Sequence, residues 1–154
     1  MAQQYGLILA GGRGTRFWPR SRRKHSKQVL SVMGGRTLIQ QTVDRLEPIL
    51  PPDNLWILTN SDLRDQIIRQ VPEVPRRQVI AEPVARNTAP AIGLAGHILE
   101  SLDRDAVMAV FSADQIIQKP APYLRAVSAA FRAAERGHIA VLGIKPRWPE
   151  TGPS

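Results

Sequence analysis

The chain has 154 residues, of which 43% are hydrophobic and 22% charged, and this fits one globular domain with a core of its own. The absence of cysteine excludes a disulfide framework and a thiolate metal site. No apolar run approaches the roughly 20 residues of a membrane span, and no signal peptide is visible, so we expect a cytoplasmic location and no membrane partner. The net charge of +8 is compatible with two kinds of anionic partner, a nucleic acid and a nucleoside triphosphate.

Short apolar runs alternate with segments of helical period along the chain. Strands are predicted at residues 6–10, 55–59, 78–83, 106–111 and 139–144. Helices are predicted at residues 37–46, from an N-cap at 60–62 through 68, at 87–102 and at 123–136, with Gly137 as a C-cap. Five strands that alternate with helices predict an α/β fold, a Rossmann-like open and mostly parallel sheet flanked by helices.

The strand ends indicate where a ligand binds. Open parallel sheets bind ligands at the carboxyl ends of their strands. We therefore expect the functional residues in the segments that follow the first, third, fourth and fifth predicted strands. These segments are residues 10–16, 82–88, 112–115 and 143–151.

The segment after the first predicted strand combines glycines with basic side chains. Glycine allows positive φ and a close approach of the backbone to a ligand, and successive N–H groups in such a turn form an anion site. Arginine can also hold phosphate oxygens bidentately. The glycines are Gly11, Gly12 and Gly14, and the basic residues are Arg13, Arg16 and Lys27. The pattern predicts a loop that binds phosphate.

Two common phosphate loops do not match this segment. A Walker A loop needs Lys-Ser or Lys-Thr after its glycines, which is absent here. In the dinucleotide fingerprint, Phe17 would stand in place of the third glycine. Much of the positive charge lies within residues 13–27 and overlaps the loop, which favours a small anionic ligand over nucleic acid. The aromatic content of 5% also offers little stacking surface for single strands.

The loop and its continuation resemble the signature of a known enzyme family. The sequence L-A-G-G-x-G-T-R-x-W-P at residues 9–19, followed by K-Q-x-L at residues 27–30, is similar to that of the sugar-phosphate nucleotidyltransferases. Trp18 resembles the mannose-1-phosphate guanylyltransferase branch, whereas Ser26 stands where the family usually has proline. The resemblance implies a glycosyltransferase-A-like fold. It also implies that the nucleotide is bound by Ala10, Gly11, Gly12, Arg13, Gly14, Thr15, Arg16 and Lys27.

A second element leads into the helix predicted at residues 87–102. From the residues alone, Asn87 or Thr88 is a helix N-cap, and Glu82 forms a local ion pair with Arg86. The stretch E-x-x-x-x-N-T-A-P-A also resembles an element that lines the nucleotide-base side of the guanylyltransferase site. The resemblance implies that Glu82, Asn87 and Thr88 bind the nucleotide. Guanine needs an acceptor for its N1–H and 2-amino group, and which residue provides it stays open.

An acidic residue follows the fourth predicted strand. A carboxylate at this position suits Mg²⁺, which prefers one or two carboxylates together with phosphate oxygens. The alternative from the residues alone is a helix or turn cap. The resemblance implies that Asp114 is the family's metal-binding acid, although Ser112 replaces the usual proline and Gln115 the usual histidine.

The last motif, L-G-I-K-P-x-x-P-E-T-G at residues 142–152, resembles the family's sugar side and implies sugar binding by Gly143, Glu150 and Thr151. Taken together, the resemblance implies transfer of GMP from GTP to mannose-1-phosphate, which yields GDP-mannose and pyrophosphate. Arg16, Lys27 and Asp114 are the implied catalytic residues. We expect GTP and mannose-1-phosphate as substrates, Mg²⁺ as cofactor, and no nucleic acid.

The resemblance extends over residues 6–152, and the family continues beyond them with Y-G-Y-I, where this chain reads Pro153-Ser154. We therefore expect residues 1–154 to form a C-terminally truncated domain, the nucleotide-binding half and the start of the sugar-binding half. Such a chain should be impaired in turnover, and it should either be marginally stable or self-associate as a homo-oligomer. Two alternatives stay open: a non-catalytic GTP-binding remnant and, with less support, a basic nucleic-acid-binding domain.

Overall fold

A computed structural model of the chain describes residues 2–11, 31–33, 35–82 and 88–143. In chain order, the strands of this part are β1 (Gln4–Leu9), β2 (Ser31–Met33), β3 (Arg36–Thr37), β4 (Leu55–Asn60), β5 (Val79–Glu82) and β6 (Val107–Ser112). The helices are α1 (Leu38–Leu46), α2 (Ser61–Gln70), α3 (Thr88–Leu102) and α4 (Pro120–Ala134). The alternation of strands and helices confirms the predicted α/β fold.

The central sheet contains β5, β4, β1 and β6 in that order, and every neighbouring pair is parallel. The strands β2 and β3 form a separate antiparallel pair, and no strand was predicted at these residues from the sequence. In the central sheet, Leu9 is in register with Leu58 on one side and with Ser112 on the other. The carboxyl ends of all four strands therefore lie along one edge.

Helices cover the two faces of the sheet unequally. One face carries α1, α2 and α4, and its core includes Ile8, Ile39, Ile57, Ile67 and Phe131. The other face carries α3, whose small residues Ala91 and Ala95 pack with Leu99 against Tyr5, Leu7, Trp56 and Leu58. The central strands read as continuous apolar runs because both of their faces are buried.

Local capping signals define several element ends. Thr37 caps α1 in a capping box with Gln40, and Asn60 caps α2 through a hydrogen bond that its side chain accepts from Leu63 N–H. Gly137 adopts a φ of 85°, and its N–H donates to the carbonyl of Ala134 beyond the end of α4. The predicted N-cap at Asn60 and the C-cap glycine are therefore confirmed.

The fifth predicted strand is wrong for the residues that the structure describes. Residues 139–143 form no strand, and Ile139 and Val141 are 97% and 85% exposed. An apolar run becomes a parallel strand only where a neighbour pairs its backbone and both faces are covered. Next to β6 this cover is incomplete, since Val110 is already 40% exposed.

None of the helices within the described ranges combines the length and the apolar character that a bilayer span requires.

Candidate functional site

The carboxyl edge of the central sheet carries the described parts of three segments that the sequence predicts to be functional, at residues 10–11, 82 and 112–115. Glu82 is in register with Asn60, and the turn that begins at Ala10 follows β1 between the ends of β4 and β6. With strands about 4.8 Å apart, the backbone at Glu82 is roughly 14 Å from that at the end of β6. This distance suits a ligand of nucleotide size lying across the edge.

The turn after β1 is held from both neighbouring strands. Ala10 is fully buried, and its N–H donates to the carbonyl of Leu58 at 2.7 Å. On the other side, Ala113 N–H donates to the carbonyl of Leu9 at 3.1 Å. The predicted site residues Ala10 and Gly11 therefore leave the sheet in a fixed direction, at the edge where ligands of such sheets bind.

Gly11 has a backbone conformation that other residues also adopt. The described glycines with positive φ are Gly35 and Gly137, so Gly11 does not use the positive φ that glycine allows. A Cβ added at Gly11 would lie 3.7 Å from the backbone of Thr59, which is an ordinary contact.

Two residues at the end of β4 contribute contacts that sequence reasoning missed. The hydroxyl of Thr59, fully buried, donates to the carbonyl of Ala10 at 3.2 Å. The side-chain amide of Asn60 donates to the carbonyl of Gly11 at 3.5 Å. The sequence marked Asn60 only as a helix cap, since a contact between strands 49 positions apart leaves no local signal.

Asp114 comes two residues after the end of β6 and lies half-buried at the same edge. The hydroxyl of Ser112 donates a short hydrogen bond to its carboxylate. Because α4 begins only at Pro120, Asp114 is not the N-cap of that helix. The described residues contain no group of three or more His, Cys, Asp or Glu side chains arranged for a metal. A single oriented carboxylate still fits Mg²⁺, because phosphate oxygens and water complete its preferred octahedron.

Three other predicted site residues belong to the described part of the chain: Glu82, Thr88 and Gly143. Glu82 ends β5 and is half-buried, on the far side of β4 from Gly11. Thr88 is exposed at the start of α3, and Gly143 is exposed in the irregular segment after α4. The other predicted site residues lie outside the described part of the chain: Gly12, Arg13, Gly14, Thr15, Arg16, Lys27, Asn87, Glu150 and Thr151.

Comparisons with known proteins agree with this architecture. Residues 5–152 match the family described as nucleotidyl transferase. A mannose-1-phosphate guanylyltransferase of Salmonella muenchen is 37% identical over 99% of this chain and 33% of its own length. The alginate biosynthesis protein AlgA of Pseudomonas fluorescens is 38% identical over 95% of this chain and 30% of its own length.

Solved structures show the same sheet. A crystal structure described as mannose-1-phosphate geranyltransferase from Thermus thermophilus has a TM-score of 0.75 and 33% identity, over 88% of this chain and 39% of that one. A putative glucose-1-phosphate thymidylyltransferase from Bacillus anthracis, 23% identical with a TM-score of 0.64 over 82% of this chain and 51% of its own, shares the fold. The chain spans about a third of the length of the curated relatives it matches. Because the family match extends over nearly all of its residues and the fold agrees, the chain belongs to the nucleotidyl transferase family.

Proposed function

We propose that the protein transfers GMP from GTP to mannose-1-phosphate, producing GDP-mannose and pyrophosphate. The observation that carries the proposal is the pairing of two features at one sheet edge: the anchored turn at Gly11 and the carboxylate of Asp114 on the neighbouring strand. Relatives named mannose-1-phosphate guanylyltransferase, 36–37% identical to this chain, support the choice of substrates. Because GTP is supplied in the cytoplasm, we place the reaction there.

The proposed reaction is an in-line displacement at the α-phosphorus. An oxygen of the sugar phosphate forms the new P–O bond, and the bond from the α-phosphorus to the oxygen bridging to the β-phosphorus breaks. The electron pair of that bond leaves with pyrophosphate. Such a transfer depends on positioning and on neutralisation of phosphate charge rather than on a covalent intermediate with the protein.

The chain's own residues would supply this positioning. In the proposal, the triphosphate lies over the turn at Gly11, where the basic side chains Arg13, Arg16 and Lys27 neutralise its oxygens. Asp114 would hold Mg²⁺ with its carboxylate, which Ser112 orients. When bound, Mg²⁺ supplies Lewis-acid neutralisation of phosphate charge.

The base and the sugar would occupy opposite parts of the edge. We assign the guanine side to Glu82 at the end of β5, to Thr88 at the start of α3 and to Asn87, which precedes Thr88 in the sequence. We assign the sugar side to Gly143, Glu150 and Thr151. These assignments rest on the resemblance of the two motifs and, for Glu82, on its position at the carboxyl end of β5.

The test is an assay of GDP-mannose formation by chromatography, with GTP, mannose-1-phosphate and Mg²⁺ supplied to the chain and to two variants. Asp114→Asn keeps the shape but removes the charge, so turnover should fall at least about 100-fold, the scale of a lost electrostatic contribution in a catalytic site. Asp105→Asn removes an exposed charge at the opposite end of β6 and should leave turnover unchanged. Equal turnover in both variants would exclude Asp114 from the reaction.

A second candidate is GTP binding without turnover. The observation that favours it is that the chain spans about a third of the length of its curated relatives. Saturable binding of GTP together with no GDP-mannose in the same preparation would support this second candidate. Turnover with mannose-1-phosphate would exclude it.

A further inference from the structure

Thr59 places a polar group in the core directly beneath the turn. Its side chain and Ala10 are both fully buried, and its hydroxyl donates to the Ala10 carbonyl at 3.2 Å. A buried carbonyl without a partner is costly, so this bond strongly favours one orientation of the peptide group between Ala10 and Gly11.

The orientation of that peptide group determines where the next donor points. In a planar trans peptide, the C=O and the N–H point in opposite directions. Since the Ala10 carbonyl faces Thr59, the Gly11 N–H faces away from β4. Within the described part of the chain, that N–H has no hydrogen-bond partner. A backbone N–H at the carboxyl edge of a parallel sheet is a donor of the kind that binds anions.

Asn60 makes a second and longer hydrogen bond to the turn, with the carbonyl of Gly11 as the acceptor. Its amide nitrogen lies 3.5 Å from the Gly11 carbonyl, and its amide oxygen accepts from Leu63 N–H at 3.0 Å. One side chain thus connects the first turn of α2 to the turn after β1. A shift of the turn would disturb a helix cap as well, which makes the arrangement stiff.

We propose that Thr59 and Asn60 are positioning residues that hold the Gly11 N–H toward the phosphates of the bound nucleotide. This inference rests on the proposed function, since GTP is taken to supply the phosphates. Neither side chain contacts the nucleotide in this proposal. Both act through the Ala10 and Gly11 carbonyls, and their effect should appear in triphosphate affinity.

The main variants remove or keep the buried hydroxyl. Thr59→Val preserves the shape and removes the donor, whereas Thr59→Ser keeps the donor. We expect Thr59→Val to raise the Kd of a fluorescent GTP analogue roughly 5- to 30-fold, because a misplaced donor and an unsatisfied carbonyl both weaken the site. Thr59→Ser should recover the affinity to within about threefold, since the hydrogen bond is retained.

Thr42→Val is the matched control. Thr42 is also fully buried, and its hydroxyl donates to the Leu38 carbonyl at 2.9 Å inside α1, away from the proposed site. Its loss should lower the free energy of unfolding while leaving GTP affinity unchanged under conditions in which the chain stays folded. Denaturant titration of each variant establishes those conditions.

Asn60→Ser tests the contact of Asn60 with the Gly11 carbonyl. This test does not depend on whether the Thr59 variants fold. Serine still caps α2 but is too short to reach the Gly11 carbonyl. We expect a rise in Kd of about threefold, on the scale of a weak hydrogen bond. The inhibition constant of inorganic triphosphate, measured by displacement of the analogue, should rise by the same factor. The lost contact affects binding of the phosphates and not of the base.

The possible results of these measurements lead to different conclusions. Unchanged affinity in both Thr59→Val and Asn60→Ser would overturn the positioning role and leave the proposed function intact. Equal losses in Thr59→Val and Thr42→Val would also overturn it, since they would reflect general destabilisation. Failure of the unsubstituted chain to bind GTP would overturn the proposed function, and this inference with it.

Discussion

Gly6 lies in the middle of β1 at a point where three large side chains converge. A Cβ added there would lie 2.9 Å from methyl carbons of Leu50 and Leu55 and 3.2 Å from the ring of Phe111. These side chains are buried in a packed core, so they cannot move aside freely. We therefore expect Gly6→Ala to lower the free energy of unfolding by roughly 1–3 kcal/mol through overpacking.

Denaturant unfolding measures this effect, and Gly93→Ala is the control. A Cβ at Gly93 in α3 would meet nothing within 4 Å. Since alanine is the better helix former by about 0.5–1 kcal/mol, this variant should be slightly more stable than the parent chain. If Gly6→Ala behaves like Gly93→Ala, the core around β1 is looser than the structure indicates.

Tyr123 and Arg45 form a partly buried contact between α4 and α1. The Arg45 guanidinium lies 5.5 Å from the centre of the Tyr123 ring, and its Nη2 donates to Thr42 Oγ1 at 3.1 Å. Burial lowers the pKa of Arg45, while the Tyr123 hydroxyl opposes that shift. Burial raises the pKa of Tyr123 above its ordinary value of 10.0, and the positive charge of Arg45 partly opposes that shift.

The raised pKa of Tyr123 predicts a loss of stability in alkali. The folded state favours the neutral phenol, so its contribution is complete below pH 10 and is lost as the pH rises through the folded pKa. Denaturant unfolding at pH 8 and pH 11 should therefore show a smaller alkaline loss in Tyr123→Phe than in the parent chain. Identical losses in both proteins would contradict a raised pKa at Tyr123.

The start of α1 depends on a capping box that also reaches the end of α2. Thr37 N–H donates to the side-chain oxygen of Gln40 at 2.9 Å, and the Gln40 amide donates to the Gln70 carbonyl at 2.9 Å. The Thr37 hydroxyl accepts from Gln40 N–H and donates to the side chain of Gln70 at 2.8 Å. Removing this hydroxyl therefore affects two helices.

We expect Thr37→Ala to lower the free energy of unfolding by about 1–2 kcal/mol, at the upper end for a lost N-cap. Thr37→Ser keeps the cap and should cost less than about half of that amount. Thermal or denaturant unfolding of the two variants tests the expectation. Equal stability of the alanine and serine variants would mean that the hydroxyl contributes nothing beyond the backbone.

At the scale of the whole described structure, the exposed large apolar side chains lie on α3 and β6, between β6 and α4, and after α4. Leu94 and Leu102 of α3 are 42% and 63% exposed, and Val110 of β6 is 40% exposed. Among the described strands, β6 pairs with β1 alone, which leaves its other edge unpaired. Unpaired edges and exposed apolar patches favour association.

We expect the chain to self-associate at micromolar concentration, with a mass above that of the monomer in light scattering. Val110→Lys adds charge to the edge strand and should shift the mass toward the monomer. Ala129→Lys adds the same charge at an exposed position on α4 and should not. A monomeric parent chain, or equal effects of the two lysines, would contradict association through β6.

Local patterns in the sequence were enough to predict most of the secondary structure. Continuous apolar runs correspond to β1, β4, β5 and β6, Pro48 follows the end of α1, and Asn60 and Gly137 mark helix ends as predicted. These signals act within a few residues, because a cap or a helical period needs no distant partner. The glycine loop motif likewise indicated the family.

The tertiary structure alone established the strand order and the contacts across the carboxyl edge. The bonds from Thr59 and Asn60 to the turn after β1 join residues 49 positions apart, and no local pattern encodes them. The apolar run at residues 139–143 shows the same limit: its composition suits a strand, yet the described structure has no paired neighbour for it. Composition determines which segments gain from burial, whereas pairing and cover depend on where the rest of the chain lies.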